Sequence, residues 1–447
     1  MQRVGVGLNR AVFLLVVIGV LVGPLVLATA ATADEALDEV WIVDQSNTAA
    51  SAGGTPYGGT LYIYQGDELS GRDAAAAGAE VIDLAGAASS LCLAQTGSLP
   101  VRPHMLVFNA MRTHAILSFV ATGHVLFLDA ATRTPVACID VGLQAHAAFP
   151  SPDQAYVIVA NQNGKLLQRI STNYASNTYS LDAGATIDLA TGTTPSGAFR
   201  QDATLRPDNA PICPVVDSTS RFAFVTLRGG GLFVVDIQAT PMGIVAEYDK
   251  ATVHPNGCGG VETAGKMYIT SGGGTAGNPL ESDLYAFPMS SISSTAQLPN
   301  TPAPSLVFSR DGVVPGFVDS HGAVLTKGGR YLWIGDRAAN KIVVVDTSTD
   351  TVFGEIVLAG SLSSDPAPDL MAISPSGNRV FLALRGPNPL TANVPGVDNA
   401  VGNTPGVGVV RVEMGGARGA LQAMAPISHM VSGVETADPH AIALRRL

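Results

Sequence analysis

The last stretch of the chain, Asp438-Pro439-His440-Ala441-Ile442-Ala443-Leu444, decides how the whole sequence is read. It has a metal-capable residue followed by a short run of small and apolar residues. The same arrangement occurs six more times upstream, usually continuing into a turn and a β-rich run. The residue just before each copy's first strand is His104, His146, Cys213, Cys258, His321, Asp369 and finally His440. The register is shared. Val107, Phe149, Val216, Val261 and Val324 each follow their marker by three positions, and Ser151 and Ser374 follow theirs by five. The spacing varies, 42 residues from His104 to His146 and 71 from Asp369 to His440, so a fixed sequence period did not create the alignment.

Each copy opens a unit of short strands. In the first, Met105 to Phe108 is followed by Ala115 to Phe119, then Val125 to Asp129, then Pro135 to Asp140. Four short strands joined by turns make one propeller blade. Comparable units start at Ala147, Pro214, Gly259, Ala323 and Leu370. The seventh copy has one strand before the chain ends. Its missing partners are the strands at Val40 to Val43, Leu61 to Tyr64 and Glu80 to Leu84. Pairing the two ends closes the ring and removes an exposed sheet edge. The expectation is an all-β, seven-bladed β-propeller forming a single domain over 34–447. The Ala-rich segment 74–79 reads as a loop, and insertions fall at 271–280 and 386–407. Almost no helix signal is present.

Bulk composition fits. Of the 447 residues, 47% are apolar and 14% charged, which allows a large core and disfavours global disorder. The net charge of -11 and the absence of any Lys or Arg run exclude the clustered basic face that nucleic acid requires. Arg3 and Arg10, the mostly apolar run Ala11 to Ala28 and the small-x-small site Ala31-Thr32-Ala33 read as a signal peptide over 1–33, with an uncleaved anchor as the alternative. Cleavage would leave a periplasmic or secreted protein, free of the membrane and monomeric. In that compartment Cys92, Cys138, Cys213 and Cys258 can form two disulfides, with three connectivities open.

Lys341-Ile342-Val343-Val344-Val345-Asp346-Thr347-Ser348-Thr349-Asp350-Thr351-Val352 resembles the repeat of YVTN-type propellers, in which a strand ending in Asp-Thr turns into the outer strand. Ser374-Pro375-Ser376-Gly377-Asn378-Arg379-Val380-Phe381 resembles their SPDG turn, and Ser151-Pro152-Asp153 is a shorter copy. The resemblance spans most of residues 100–447 and reaches cytochrome-d1-like, lactonase-like and quinohaemoprotein-like propellers. It implies the fold far more than a function.

In a propeller the first strand of each blade lines the central channel, so the seven markers converge at one height. The chain has eight His and four Cys in all, and four and two of them occupy this one repeat position. Imidazole and thiolate suit Cu, Zn or Fe rather than Mg or Ca. We therefore expect a metal site, copper favoured over zinc or iron, among His104, His146, His321, His440, Asp369, Cys213 and Cys258. The consecutive trio His440, His104 and His146 is the first-choice facial set, with His321 and Asp369 completing it from the opposite rim. Nitrous oxide reductases, carotenoid oxygenases and selenium-binding-protein-like methanethiol oxidases also place metal chemistry on propellers. No motif of theirs is present, so the resemblance carries over only that principle, and the two Cys and one Asp depart from all-His hubs. The bland alternative is that each His bonds a neighbouring backbone, while Cys213 and Cys258, on adjacent blades, join in a disulfide.

The other candidates are weaker. His114, His124 and His429 stand off the marker position. Arg102, Arg228, Arg337 and Arg385 flank inner strands and could meet an anionic substrate, although salt-bridged surface arginines are commoner. Gly229-Gly230-Gly231 and Gly272-Gly273-Gly274 lack a following helix and read as turns. Three functions follow: a metal-dependent oxidoreductase acting on a small molecule or redox partner, a lactonase-like hydrolase using His and Asp as acid and base, and a non-catalytic propeller that binds a protein through its loops.

Overall fold

The computed structural model describes Met1 and residues 38–272, 281–311 and 319–447. All but Met1 of the proposed signal segment 1–33, most of the 271–280 insertion and part of Gly272-Gly273-Gly274 lie outside the described residues. Seven antiparallel sheets form the ring. Blades one to six each take four consecutive strands, beginning at Pro103–Phe108, Ala145–Pro150, Pro211–Val216, Gly260–Thr263, Ser320–Leu325 and Pro368–Ile373, and blade two adds a short fifth. Blade seven is composite. Its order is Pro439–Arg446, Asp38–Asp44, Thr60–Gln65, Glu80–Asp83.

The closure follows from one strand. Asp38–Asp44 pairs with the chain's end, Ile42 opposite Ile442 and Trp41 opposite Ala443. Every residue of this strand is buried, because it lies second in its blade with a blade packed on each face. Successive side chains alternate between faces. Val40 and Ile42 join Phe381 and Val409 of blade six. Trp41 and Val43 join Leu117 and Leu126 of blade one. One seven-residue strand thus bonds the two ends of the chain together and seals two inter-blade cores.

A ten-residue α-helix, Ala87–Thr96, departs from the sequence expectation. Its apolar residues form no clear stripe, so periodicity does not reveal it. Gly97 ends it at φ +81°, donating its N–H to Leu93 O, which is the usual use of a left-handed glycine after a helix. The helix carries Cys92 to a disulfide with Cys138 on the outer strand of blade one. A 3-10 turn at Arg72–Ala76 runs into the Ala-rich segment 74–79, where the sequence expectation is a loop throughout.

The first strands of the blades contact one another around the channel, and the Cys213–Cys258 disulfide joins blade three to blade four. They pack too closely for side chains at some points. A Cβ on Gly259 would stand 2.4 Å from His321 O, and one on Gly322 2.3 Å from Asp369 O. Glycine beside a marker residue therefore allows the hub to close.

Candidate metal centre

The markers sit on β-bulges. In blades one, two, three, five, six and seven the register of the innermost strand slips at the marker, between Pro103 and Met105, Ala145 and Ala147, Pro211 and Pro214, Ser320 and Ala323, Pro368 and Met371, and Pro439 and Ala441. A bulge leaves its extra residue without a cross-strand partner and re-aims the side chain. His104, His146, Cys213, His321, Asp369 and His440 are so released, while Cys258 lies just before its strand.

Four imidazoles form a chain across the hub. Ring centroids are 4.7 Å apart for His146 and His104, 3.7 Å for His104 and His440, and 5.2 Å for His440 and His321. Three of them are tied through Nδ1. His440 donates to His104 O at 2.9 Å, His146 to Ile212 O at 2.9 Å, and His104 to Gln45 Oε1 at 2.8 Å. Gln45 donates its own Nε2 to Asp438 Oδ2 at 2.9 Å, which fixes the amide's orientation. A proton held on Nδ1 leaves the Nε2 lone pair free. The Nε2 atoms of His104 and His440 are buried without a hydrogen-bond partner among the described residues.

Asp369 is the hub's anion. Its Oδ2 accepts Arg385 Nη1 at 2.6 Å and Arg337 Nη1 at 3.2 Å and lies 3.8 Å from His440 Nε2. Its Oδ1 touches His321 Nδ1, out of line for a hydrogen bond. Each arginine also grips a second carboxylate, Arg385 holding Asp438 at 2.6 Å and Arg337 holding Asp319 at 2.7 Å. Two guanidiniums thus sit among three carboxylates in a fully buried network, which keeps the local charge close to balance. Arg337 and Arg385, expected at the surface, are interior ties.

Burial governs protonation here. It pushes His104 and His440 well below the usual imidazole range and His146 down to about 4. Asp369, despite burial, is held well below the usual carboxylate range by the positive charge around it, the Arg337 and Arg385 guanidiniums included. At neutral pH the three imidazoles are neutral and Asp369 is ionised, the forms a metal ligand requires.

The structure regroups the expected ligands. One ligand atom each from His321, Asp369 and His440 lies within 4.8 Å of the others. His104 stacks on His440 with planes 27° apart, so these rings lie face to face instead of converging on one point, and the trio His440, His104, His146 is not the cluster formed. Cys213 and Cys258 are joined to each other, and no cysteine among the described residues is free. Their expected role as ligands is therefore corrected: a disulfide sulfur cannot act as a thiolate. His114 bonds Asn177 at 2.7 Å and packs on Tyr174, and His124 bonds Thr96 at 3.0 Å, both as buried structural residues. His429 is not part of the cluster.

Above the hub opens a cavity of about 930 Å³. Its wall repeats the blade symmetry. Two positions before the marker, Arg102, Gln144, Asn256 and Asp319 line it. So do Val120, Gln162, Arg228 and Arg337, each following its blade's second strand. In blades six and seven the same place holds Arg385 and Gln45, which work below in the hub. Asp319, Asp438 and Gln45 escaped the sequence reading, though extending the marker alignment by two positions reaches both aspartates. The segment after Leu384 crosses the mouth. It is pinned by Leu390 N to Asp438 Oδ2 at 2.7 Å, Arg385 Nη2 to Thr391 O at 3.0 Å and Asn399 Nδ2 to Asp319 Oδ2 at 2.5 Å.

No protein-family model matches the chain, and no curated protein is significantly similar to it. Solved structures are similar in shape. A protein from Lactobacillus plantarum is 11% identical with TM-score 0.57, over 91% of this chain and 99% of that one. The periplasmic gluconolactonase of Pseudomonas aeruginosa is 12% identical with TM-score 0.53, again over 91% and 99%. At such identities the likeness establishes the seven-bladed propeller fold and nothing finer.

Proposed function

We propose that this chain is an exported metalloprotein that holds one transition-metal ion between His321, Asp369 and His440 and acts as an oxidoreductase on a small molecule entering through the mouth cavity. One observation carries the reading: the Nε2 of His440 is buried, unpartnered and beside the Asp369 carboxylate, with its Nδ1 tied to a backbone carbonyl. An unpartnered polar atom at zero exposure is costly unless something binds it. Two imidazoles and a carboxylate suit borderline metals, and three protein ligands leave a position open. Copper is preferred on ligand type and would supply one-electron chemistry when bound. The two disulfides support an oxidising compartment.

Lactone hydrolysis is the rival, since a gluconolactonase shares the fold. It would need a base near neutrality. Burial pushes His146, on the cavity wall, down to about 4, away from that range. The test is elemental analysis of the purified protein before and after reconstitution with Cu, Zn or Fe. A near-stoichiometric ion, lost in His321→Gln and His440→Gln, supports the proposal. Absence of all three after reconstitution overturns it, and lactone hydrolysis that survives chelation would favour the rival.

A further inference from the structure

We infer that the mouth cavity receives a small organic carboxylate, docked on the guanidinium of Arg102 and attracted by Lys250. The inference concerns the cavity wall and goes beyond the metal reading, since it holds with or without an ion at the hub. The first ground is charge. The chain carries a net charge of -11, yet four cationic side chains, Arg102, Arg228, Lys250 and Arg337, line this cavity against only Asp208 and Asp319. Arg228 is matched by Asp208 at 2.6 Å and Arg337 by Asp319 at 2.7 Å. Arg102 and Lys250 remain, and neither forms an ion pair among the described residues.

Arg102 is the sharper observation. It is half-buried, and Leu390 O is the one acceptor its guanidinium meets among the described residues, at 3.0 Å from Nη1. Its Nε is buried with no acceptor among the described residues. The charge it feels most is that of Asp438, which Arg385 already grips with two nitrogens. The backbone of Arg102 is left-handed, φ +64°, a conformation glycine reaches more readily. Asn47 Oδ1 receives its N–H at 3.1 Å and holds it there. A long cation held in a costly backbone conformation, half-buried and without a counter-ion, is a group arranged for an external anion. A carboxylate matches the guanidinium fork with two parallel hydrogen bonds.

The geometry favours carboxylate over phosphate. Phosphate sites recruit free backbone N–H groups from glycine-rich turns or helix N-termini. The glycine run at this mouth has none to give: Gly229 N bonds Asp208 O, Gly230 N bonds Leu227 O, and Gly231 N bonds Val253 O. The remaining wall offers side-chain groups, including a Gln144 Oε1 that has no partner and could accept a hydroxyl or carboxylic proton.

Calorimetric titration tests this, using acetate, succinate, citrate, inorganic phosphate and the neutral diamide succinamide. It is run on the protein as purified and again after EDTA dialysis, so a failure of the metal reading leaves this result intact. At least one carboxylate should bind at one site, about tenfold or more tighter than succinamide, in both preparations. Arg102→Gln should weaken it about tenfold, Lys250→Gln by a smaller factor that shrinks with added salt, and Arg102→Lys should recover part of the loss. Arg102→Gln also removes the contact with Leu390, so Lys250→Gln, an exposed change, guards against misreading a folding defect. Three results would overturn the inference: no carboxylate binds, succinamide or phosphate binds as tightly as the best carboxylate, or both Gln variants bind like wild type.

Discussion

His440 Nδ1 lies 2.9 Å from the carbonyl oxygen of His104. Those two residues stand 336 positions apart in sequence, and the bond joins the last strand of the chain to the first blade. Ring closure and site assembly are therefore one event: the strand that completes blade seven also brings His440 to Asp369 and His321. Loosening the closure should loosen the site.

Ile442→Ala tests that link. Ile442 is 5% exposed and packs in the core between blades six and seven. The substitution should cost about 2–5 kcal/mol in chemical denaturation. Deleting residues 438–447 should go further, both destabilising the domain and abolishing metal uptake. A truncated protein that melts and binds metal like the full chain would contradict the closure.

Arg385 is fully buried between Asp369 and Asp438. Arg385→Leu leaves two buried carboxylates without their shared cation. The expected loss is about 3–5 kcal/mol, larger than for typical surface arginines. Urea titration of this variant beside Arg411→Leu, an exposed arginine paired with Glu413, separates the two cases.

The Cys213–Cys258 pair spans 45 residues. A loop of that length is worth about 4 kcal/mol through restriction of the unfolded chain. Cys213→Ala/Cys258→Ala should lower stability by up to that amount while leaving metal affinity unchanged. Loss of the metal in this variant would return the two cysteines to the ligand set. Thiol titration of the denatured, unreduced wild type should find no reactive thiol.

Asp336 gives a pH signature. Burial raises its carboxyl to about 6 from 3.8, although Oδ1 accepts the N–H groups of Asp319 and Ala339. The folded state therefore binds more protons than the unfolded one between those values. This group's contribution is full below about pH 4 and is lost as pH rises through 6. Asp336→Asn removes the dependence, so its stability relative to wild type should rise from pH 4 to pH 7 by up to about 3 kcal/mol. A difference that is flat with pH would show the carboxyl titrating normally.

The histidines work the other way. His146 falls to about 4 in the folded state. Its stabilising contribution is complete above about 6.5 and is lost as pH falls toward 4, at about 1.4 kcal/mol per pH unit. The total stability curve is a sum of opposing slopes, and for that reason single-variant differences are the informative measurement.

Much of this molecule was legible in the sequence because its signals are local. Strands such as Lys341–Asp346, with turns at Ser151 and Ser374, announce themselves through β-branched runs and turn chemistry. Repeating them seven times fixes the blade count, and the incomplete last copy fixes which strands must close it. The helix at Ala87–Thr96 was missed because it lacks an apolar stripe, and its existence shows most clearly in what it does, presenting Cys92 to Cys138.

The sequence alone determined that four histidines, two cysteines and an aspartate share one repeat position on a seven-bladed ring. Only the tertiary structure decided how they divide. Bulges re-aimed six of the seven, the close approach of blades three and four joined the cysteines, and stacking set His104 against His440. Asp369 gathered His321 and His440 because buried guanidiniums keep it ionised. Those outcomes depend on ångström-scale distances between strands far apart in the chain, and a repeat pattern, which records only position along it, does not contain them.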